Sequence, residues 1–390
     1  MRWNTLHITF VTFFFFTSCV EVIELEQKSL NTKLVIDGIF SDKEINHIIS
    51  LSATISLNEF ESNPVTNANL VIRSKDNTQV IELTELEPGK YATPIVAGVI
   101  GKFYRLEISL NNGEVYYSNY EEMLSPLPID SIYADYTTND DGLKGLQISL
   151  DAYNDTEMNR YYYWNWVETY EITPPFPSLY EWNGEEPILR NEQISVCWNS
   201  NTSDKIFIKT TANSSNNNIE QFPLKFISEN ESLLNKNYSL LVNQYSINRE
   251  AYFYWSSINE IISSQGSFSD IQLGNVIGNI STEDGKNAIG YFMVASHFEL
   301  REFWPSNEVL LLGFKFRNYY PDCNARVILP KIEDGQTLEQ ALALFMNQGQ
   351  NSDFYYIHDG PDFGGGWAVV PRYCGDCRVS GTNIKPNFWP

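Results

Sequence analysis

Cys19 is the residue whose setting most clearly points to covalent chemistry. Met1 and Arg2 give a positive start, Ile8, Phe10, Val11 and Phe13 to Phe16 an apolar run, and Thr17-Ser18 small residues just before the cysteine. A basic start, a short apolar stretch and small residues ahead of a cleavage point describe a bacterial export signal. A cysteine in that place, followed by polar sequence, resembles a lipobox, in which the thiol is lipidated; Phe16 stands where a leucine is usual. The apolar run falls short of the roughly 20 residues that a bilayer-spanning helix needs. The expectation is a lipoprotein signal peptide at 1–18, lipidation at Cys19 and attachment to the membrane through the acyl chains.

Four further cysteines follow: Cys197, Cys323, Cys374 and Cys377. An even number in an exported chain suggests two disulfides, and four cysteines allow three connectivities. Cys374-Gly375-Asp376-Cys377 has the spacing of a redox pair or half a zinc site. Redox pairs of this kind open a helix within a βαβ unit, whereas Gly381 and Pro386 follow here in an extended tail. Only Cys197 and Cys323 could complete a zinc site, with no histidine nearby in sequence. Structural disulfides are the favoured reading, with at least one joining Cys374 or Cys377 to Cys197 or Cys323 and pinning the tail.

Other candidates are weaker. His47, His297 and His358 are far apart, and none sits in a metal-binding or G-x-S-x-G context, so neither a catalytic nor a metal residue is assigned and no cofactor is expected. In His358 to Trp367, glycines flank Phe363 and Trp367, which could stack on a flat ligand or a sugar face; packing of Trp367 in a core is the favoured alternative. Asp151, Asn154, Asp155 and Glu157 offer oxygens for calcium without the EF-hand spacing, and a solvated turn fits them better. Asp130-Ser131-Ile132 resembles a sequon for O-glycosylation of exported proteins, but burial of Ile132 at a strand start would also explain it.

The elements that must position these residues are mostly strands. Tyr and Phe each number 23, and aromatic content reaches 14%, a bias that favours strands over helices. Tyr104, Leu106, Ile108 and Leu110 alternate with Arg105, Glu107 and Ser109, and Asn111-Asn112-Gly113 turns the chain towards Val115-Tyr116-Tyr117, a hairpin signal. The run 161–172 (YYYWNWVETYEI) carries aromatics on both faces, as a central strand does. Helices are expected after Ser246 as N-cap, with Ala251, Tyr254, Trp255, Ile258 and Ile262 on one stripe, and after Thr337, where Gln340 completes a capping box and the end lies near Gly349. The fold class is mainly β: two immunoglobulin/fibronectin-III-like β-sandwich domains, the second with helical insertions. The expected boundaries are a tether at 19–31, a first sandwich at 32–126 and a second at 127–390, ending in the disulfide-pinned tail.

Charge narrows the partners. The chain carries 26 Lys+Arg against 49 Asp+Glu, a net −23. Removing 1–18 takes away Arg2 alone, leaving 25 against 49, or −24. Such a surface repels phosphate backbones and anionic lipid, so nucleic acid is not an expected partner.

At the C-terminus, Cys374-Gly375-Asp376-Cys377-Arg378, Gly381-Thr382-Asn383 and Lys385-Pro386-Asn387-Phe388-Trp389 resemble the ending of the DUF4249 lipoproteins of Bacteroidota. Leu34-Val35-Ile36-Asp37-Gly38, Pro88-Gly89-Lys90-Tyr91, Gly101 to Leu106, Gly278-Asn279-Ile280 and Gly290-Tyr291-Phe292 resemble other parts of that family. The resemblance implies an outer-membrane lipoprotein working beside a TonB-dependent receptor, a non-enzymatic accessory in nutrient capture. A cell-surface hydrolase with an unrecognised carboxylate site and a structural or adhesive surface protein are the alternatives. Glu21, Glu24 and Glu26 loosely resemble an acidic surface-export signal, which leans the location towards the outer face.

Overall fold

The computed structural model describes residues 33–54, 63–153, 159–214, 216–264, 276–317, 320, 322–349, 351–360 and 365–390. Strand outweighs helix, 46% to 13%, so the aromatic bias reports the class correctly. The segments read as signal and tether, with Cys19, lie outside the described residues.

The largest sheet has ten strands. Its spatial order is Cys197–Thr202, Tyr161–Ile172, Tyr238–Ser246, Ile289–Trp304, Leu34–Ser41, Ile48–Ala53, Lys90–Ala92 and Thr84–Glu87, with Phe207–Thr210 and Asn63–Pro64 added beside it. The central strand Ile289–Trp304 is shared between two halves. Its first part runs parallel to Leu34–Ser41, from Val35 opposite Ile289 to Ser41 opposite Ala295. Its second part runs antiparallel to Tyr238–Ser246, from Ser246 opposite Ser296 to Tyr238 opposite Trp304.

One half of this sheet faces a six-stranded sheet that holds Asn69–Ser74, Val80–Glu82, Phe103–Ser109, Val115–Ser118, Glu121–Glu122 and Ile280–Thr282. Tyr104, Leu106 and Ile108 are buried between the two while Arg105, Glu107 and Ser109 face outward, as the alternation requires. The core also takes Ile280, Ala288, Phe292 and Val294. The segment 32–126 therefore does not complete its own core: a stretch about 160 residues further on returns to finish it. Short-range periodicity carries no record of such a return.

The other half faces a three-stranded sheet of Ser131–Thr138, Lys144–Tyr153 and Asn218–Ser228. Tyr162, Trp164, Trp166, Tyr238, Trp304 and Phe314 fill the space between. Helix Arg249–Ser264 lies on the opposite face of the large sheet, with Ala251, Tyr254 and Trp255 packed near Tyr163, Tyr245 and Tyr291. Its cap is Asn248, whose Oδ1 accepts from Ala251 N at 2.8 Å. Ser246, the expected cap, is the last strand residue, and its Oγ accepts from Leu127 N instead. The capping box at Thr337 and Gln340 is present, opening Leu338–Met346.

A fourth, five-stranded sheet was not foreseen as a separate layer. It gathers Tyr180–Trp182, Pro187–Leu189, Arg326–Ile328, Tyr355–Asp359 and Trp367–Pro371, with its own core of Ile328, Leu342, Phe345, Ile357, Trp367 and Val369. These strands have three to five residues each and come from distant segments, too short to show a period.

The cysteines pair Cys197 with Cys377 and Cys323 with Cys374. Neighbouring cysteines of the C-x-x-C thus anchor to two different places. Between them Asp376 is buried and receives Arg378 Nε at 2.9 Å and Nη2 at 3.0 Å. The tail then lays Trp389 against Trp198 and Phe303. Cys197–Cys377 closes a separation of 180 residues. Replacing both of its cysteines with serine is expected to lower stability by about 3 kcal/mol, since cross-links over long loops constrain the unfolded chain most. Urea unfolding of the variant checks this, and an unchanged midpoint would contradict it.

Candidate functional site

The strand Tyr161–Ile172 points Tyr162, Trp164, Trp166 and Glu168 inward at successive alternate positions. Two short strands share its outer edge: Phe207–Thr210 pairs with Tyr161 to Trp164, and Cys197–Thr202 with Val167 to Ile172. Between them neither strand pairs with it. Ser203 closes onto Trp166, its N donating to the Trp166 carbonyl at 2.9 Å and its Oγ accepting from Trp166 N at 3.2 Å.

The facing strand is irregular at the same height. Ile148 lies opposite Lys225, yet Ser149 lies opposite Pro223, so Leu224 is an extra residue in the ladder. Such a bulge bends a strand and re-aims its groups, and Pro223 has no N–H to give. The Leu224 carbonyl accepts from Trp166 Nε1 at 3.3 Å. An interrupted edge opposite a bulge leaves a cleft of about 470 Å³, lined by Asn139, Gln147, Trp166, Asp204, Lys205, Phe207, Leu224, Lys225 and Phe226 among others. Ligand pockets typically span roughly 300–1,000 Å³.

Lys225 in the cleft wall is paired with Glu168 buried behind it. Lys225 Nζ stands 3.2 Å from Glu168 Oε2 and 4.8 Å from the centroid of the Trp166 ring. The Glu168 side chain is only 4% exposed. It also accepts from the Tyr238 hydroxyl at 2.8 Å and from Asn201 Nδ2 at 3.1 Å. Burial, with the nearby carboxylate, drives the Tyr238 hydroxyl pKa well up, so Tyr238 stays a donor. Gln147 Nε2 donates to the Ile148 and Lys225 carbonyls and fixes the wall. Burying a carboxylate is costly unless it is paired and fully hydrogen-bonded, and here both conditions are met. The arrangement offers a ligand an ammonium group, amides and aromatic surface.

The residues singled out in the sequence do not meet here. His47 is buried, with Nε2 3.0 Å from the Val96 carbonyl, and burial lowers its pKa. His297 stacks on Tyr245 and places Nε2 2.9 Å from Asn243 Oδ1; burial lowers its pKa to about 4. His358 Nδ1 lies 2.7 Å from the Pro177 carbonyl, in the five-stranded sheet. Among the described residues no three His, Cys, Asp or Glu converge as a metal site. Trp367 is 6% exposed and edges onto Tyr180, so it is a core residue and not a stacking platform. Phe363 lies outside the described residues, as do Asn154, Asp155 and Glu157. Asp151 Oδ1 accepts from Tyr133 Oη at 3.1 Å and Gln221 N at 2.7 Å, tying neighbouring strands. Ser131 starts a strand and is half-buried, with Ile132 buried behind it.

A second buried acid sits where the helix, the shared strand and the six-stranded sheet meet. Glu121 Oε1 accepts from Asn279 Nδ2 at 2.8 Å and from the Tyr291 hydroxyl, and Oε2 from Val294 N at 3.3 Å. Burial raises its pKa to about 7 despite these donors. A folded-state pKa raised above the usual 4.5 means that the stabilisation is full below that pH and is lost as pH rises through about 7. The difference between wild type and Glu121→Gln isolates this group from His47 and His297, whose lowered pKa values act in the opposite direction. Relative to the variant, wild-type stability is expected to fall by about 3 kcal/mol from pH 5 to pH 8. Parallel curves for the two proteins would refute it.

Residues 20–301 match a protein family described as a domain of unknown function, DUF4249. No curated protein matches the chain. A crystal structure of a DUF4785 family protein from Legionella pneumophila aligns with a TM-score of 0.19 at 11% identity, over 54% of this chain and 51% of that one. The BSP domain of a biofilm associated protein aligns with a TM-score of 0.11 at 9% identity, over 69% of this chain and 58% of that one. The chain thus spans about half the length of the first of these structures.

Proposed function

We propose that this chain, which belongs to the DUF4249 family, is a lipid-anchored outer-membrane protein of Bacteroidota that binds a small ligand for a TonB-dependent transporter. The observation that carries the reading is the cleft, where Lys225, paired with the buried Glu168, lies over Trp166 at the interrupted edge of the second layered unit. Groups so placed orient a ligand through charge, amides and apolar contact, the chemistry of capture and not of bond breaking. Attachment through acyl chains on Cys19 would keep the cleft close to the membrane, on the outer face. In this reading the two face-to-face sheet pairs are sandwiches of the immunoglobulin/fibronectin-III kind, joined through one long strand.

The test is a detergent-solubilised pull-down from native membranes, with Cys19→Ala as the soluble comparison. The expected eluate contains a TonB-dependent receptor, and the variant leaves the membrane fraction. An eluate without a receptor would contradict the transport role. A variant that still pellets with the outer membrane after a high-salt wash would contradict the anchor.

A further inference from the structure

The outward face of the six-stranded sheet is unlike the rest of this acidic protein. Arg73 and Arg105 stand directly opposite each other across the ladder, a like-charge pairing that costs stability. One carboxylate serves both. Arg73 Nε and Nη2 lie 3.0 and 3.2 Å from Glu107, and Arg105 Nε and Nη2 lie 2.9 and 2.6 Å from Glu107 Oε1. Among the described residues Nη1 of each guanidinium has no hydrogen-bond partner, and both side chains are 29% exposed. With Lys75 and Lys102 the strip holds four cations, and the acids of the same face are Glu107, Asp76, Glu82 and Glu122, so the face is balanced on a chain of −23. Glu82 and Glu122 flank it on the outer strands.

Aromatic rings alternate with these cations. Arg105 lies 4.8 Å from the Tyr117 ring and 4.9 Å from the Tyr120 ring, and Lys75 lies 5.9 Å from Tyr120 and 5.5 Å from Phe103. At one end a hollow of about 290 Å³ presents Asn119, Ser281, Thr282 and the carboxylate of Glu283 beside Arg105. At the other a hollow of about 410 Å³ lies beside Lys75 and Phe103.

We infer that this face binds an oligosaccharide bearing carboxylate or sulfate groups. The paired guanidinium groups match the geometry of a planar or tetrahedral oxyanion. Hydroxyl and amide groups in the adjoining hollow suit sugar hydroxyls, and ring faces suit the apolar side of a pyranose. A nucleic acid fits less well, since its longer line of phosphates would run past the strip onto the surrounding negative surface, whereas a short acidic oligosaccharide stays within it. The site is separate from the cleft and does not depend on it.

The experiment is calorimetric titration of the folded chain from residue 20 onwards with tetragalacturonate, a chondroitin sulfate tetrasaccharide, maltotetraose and an eight-residue oligothymidylate. At least one acidic tetrasaccharide is expected to bind, with affinity that falls as salt screens the charges. The neutral sugar and the oligonucleotide are expected to bind at least about tenfold more weakly. Arg105→Gln and Lys75→Glu should each weaken the acidic sugar by about tenfold or more. Arg105→Gln also disturbs Glu107, whereas Lys75 is exposed, so Lys75→Glu with an unchanged unfolding curve keeps the test independent of folding. Failure of both acidic sugars to bind, equal binding of maltotetraose or the oligonucleotide, or undiminished binding by Lys75→Glu would each overturn the inference.

Discussion

Replacing Gly290 with alanine is expected to leave no folded protein in the soluble fraction. Gly290 sits at φ +101°, and a Cβ there would stand 1.8 Å from the Ile36 carbonyl oxygen. That carbonyl belongs to the neighbouring parallel strand, in register with Gly290. Gly278 repeats the constraint on the far side, its own Cβ position lying 1.7 Å from the Gly290 carbonyl. Three backbones are therefore stacked with no room for a methyl group, at the point where the returning segment closes the first core. The left-handed backbone alone adds roughly 1–2 kcal/mol for a non-glycine residue. Relieving the clash means parting the parallel pair, which takes the total beyond about 5 kcal/mol, the range of exceptional single changes. Gly113→Ala supplies the contrast: it too has positive φ, but among the described residues nothing lies within 4 Å of its Cβ position, so only the backbone cost of roughly 1–2 kcal/mol applies. Soluble yield and urea unfolding of the two variants decide the matter. A Gly290→Ala protein that unfolds near the wild-type midpoint would show the stacking to be far looser than described.

Lys225→Met is expected to destabilise the chain by about 3–5 kcal/mol, because it strands Glu168 without its counter-charge. Glu168 would keep Tyr238 and Asn201, two neutral donors that do not replace an ammonium group. Methionine preserves much of the contact with Trp166, so lost packing contributes little. The double variant Glu168→Gln/Lys225→Met removes the stranded charge and should recover most of the loss. Urea unfolding of wild type, both single variants and the double variant gives the coupling. Additive effects, with no recovery in the double variant, would mean that the two groups do not stabilise each other.

Much of this architecture was legible in the residues. The alternation at Tyr104 to Leu110, the Asn-Asn-Gly turn and the capping box at Thr337 each carry a local signal with a local cause. Asn248 and Ser246 are both good caps two positions apart, and only the length of the preceding strand decides between them. The five-stranded sheet left no trace because strands of three to five residues from distant segments show no clear period. In the cleft, Glu168 did carry a signal: it occupies the inward position that continues Tyr162, Trp164 and Trp166. A carboxylate on the buried side of an aromatic strand demands a partner. That partner, Lys225, is 57 residues away on a bulged strand, and no spacing rule connects them.

The long strand Ile289–Trp304 also sets how the molecule bears a load. A tug on the chain at residue 33 acts along the axis of Leu34–Ser41, whose seven residue pairs with the shared strand run parallel to it. Parallel pairs pulled lengthwise resist in shear, all together, instead of unzipping one after another. The strain passes directly into Ile289–Trp304, and from there into Tyr238–Ser246 beside the cleft strand. From residue 33 onwards, traction would therefore pass straight to the second half through paired backbone.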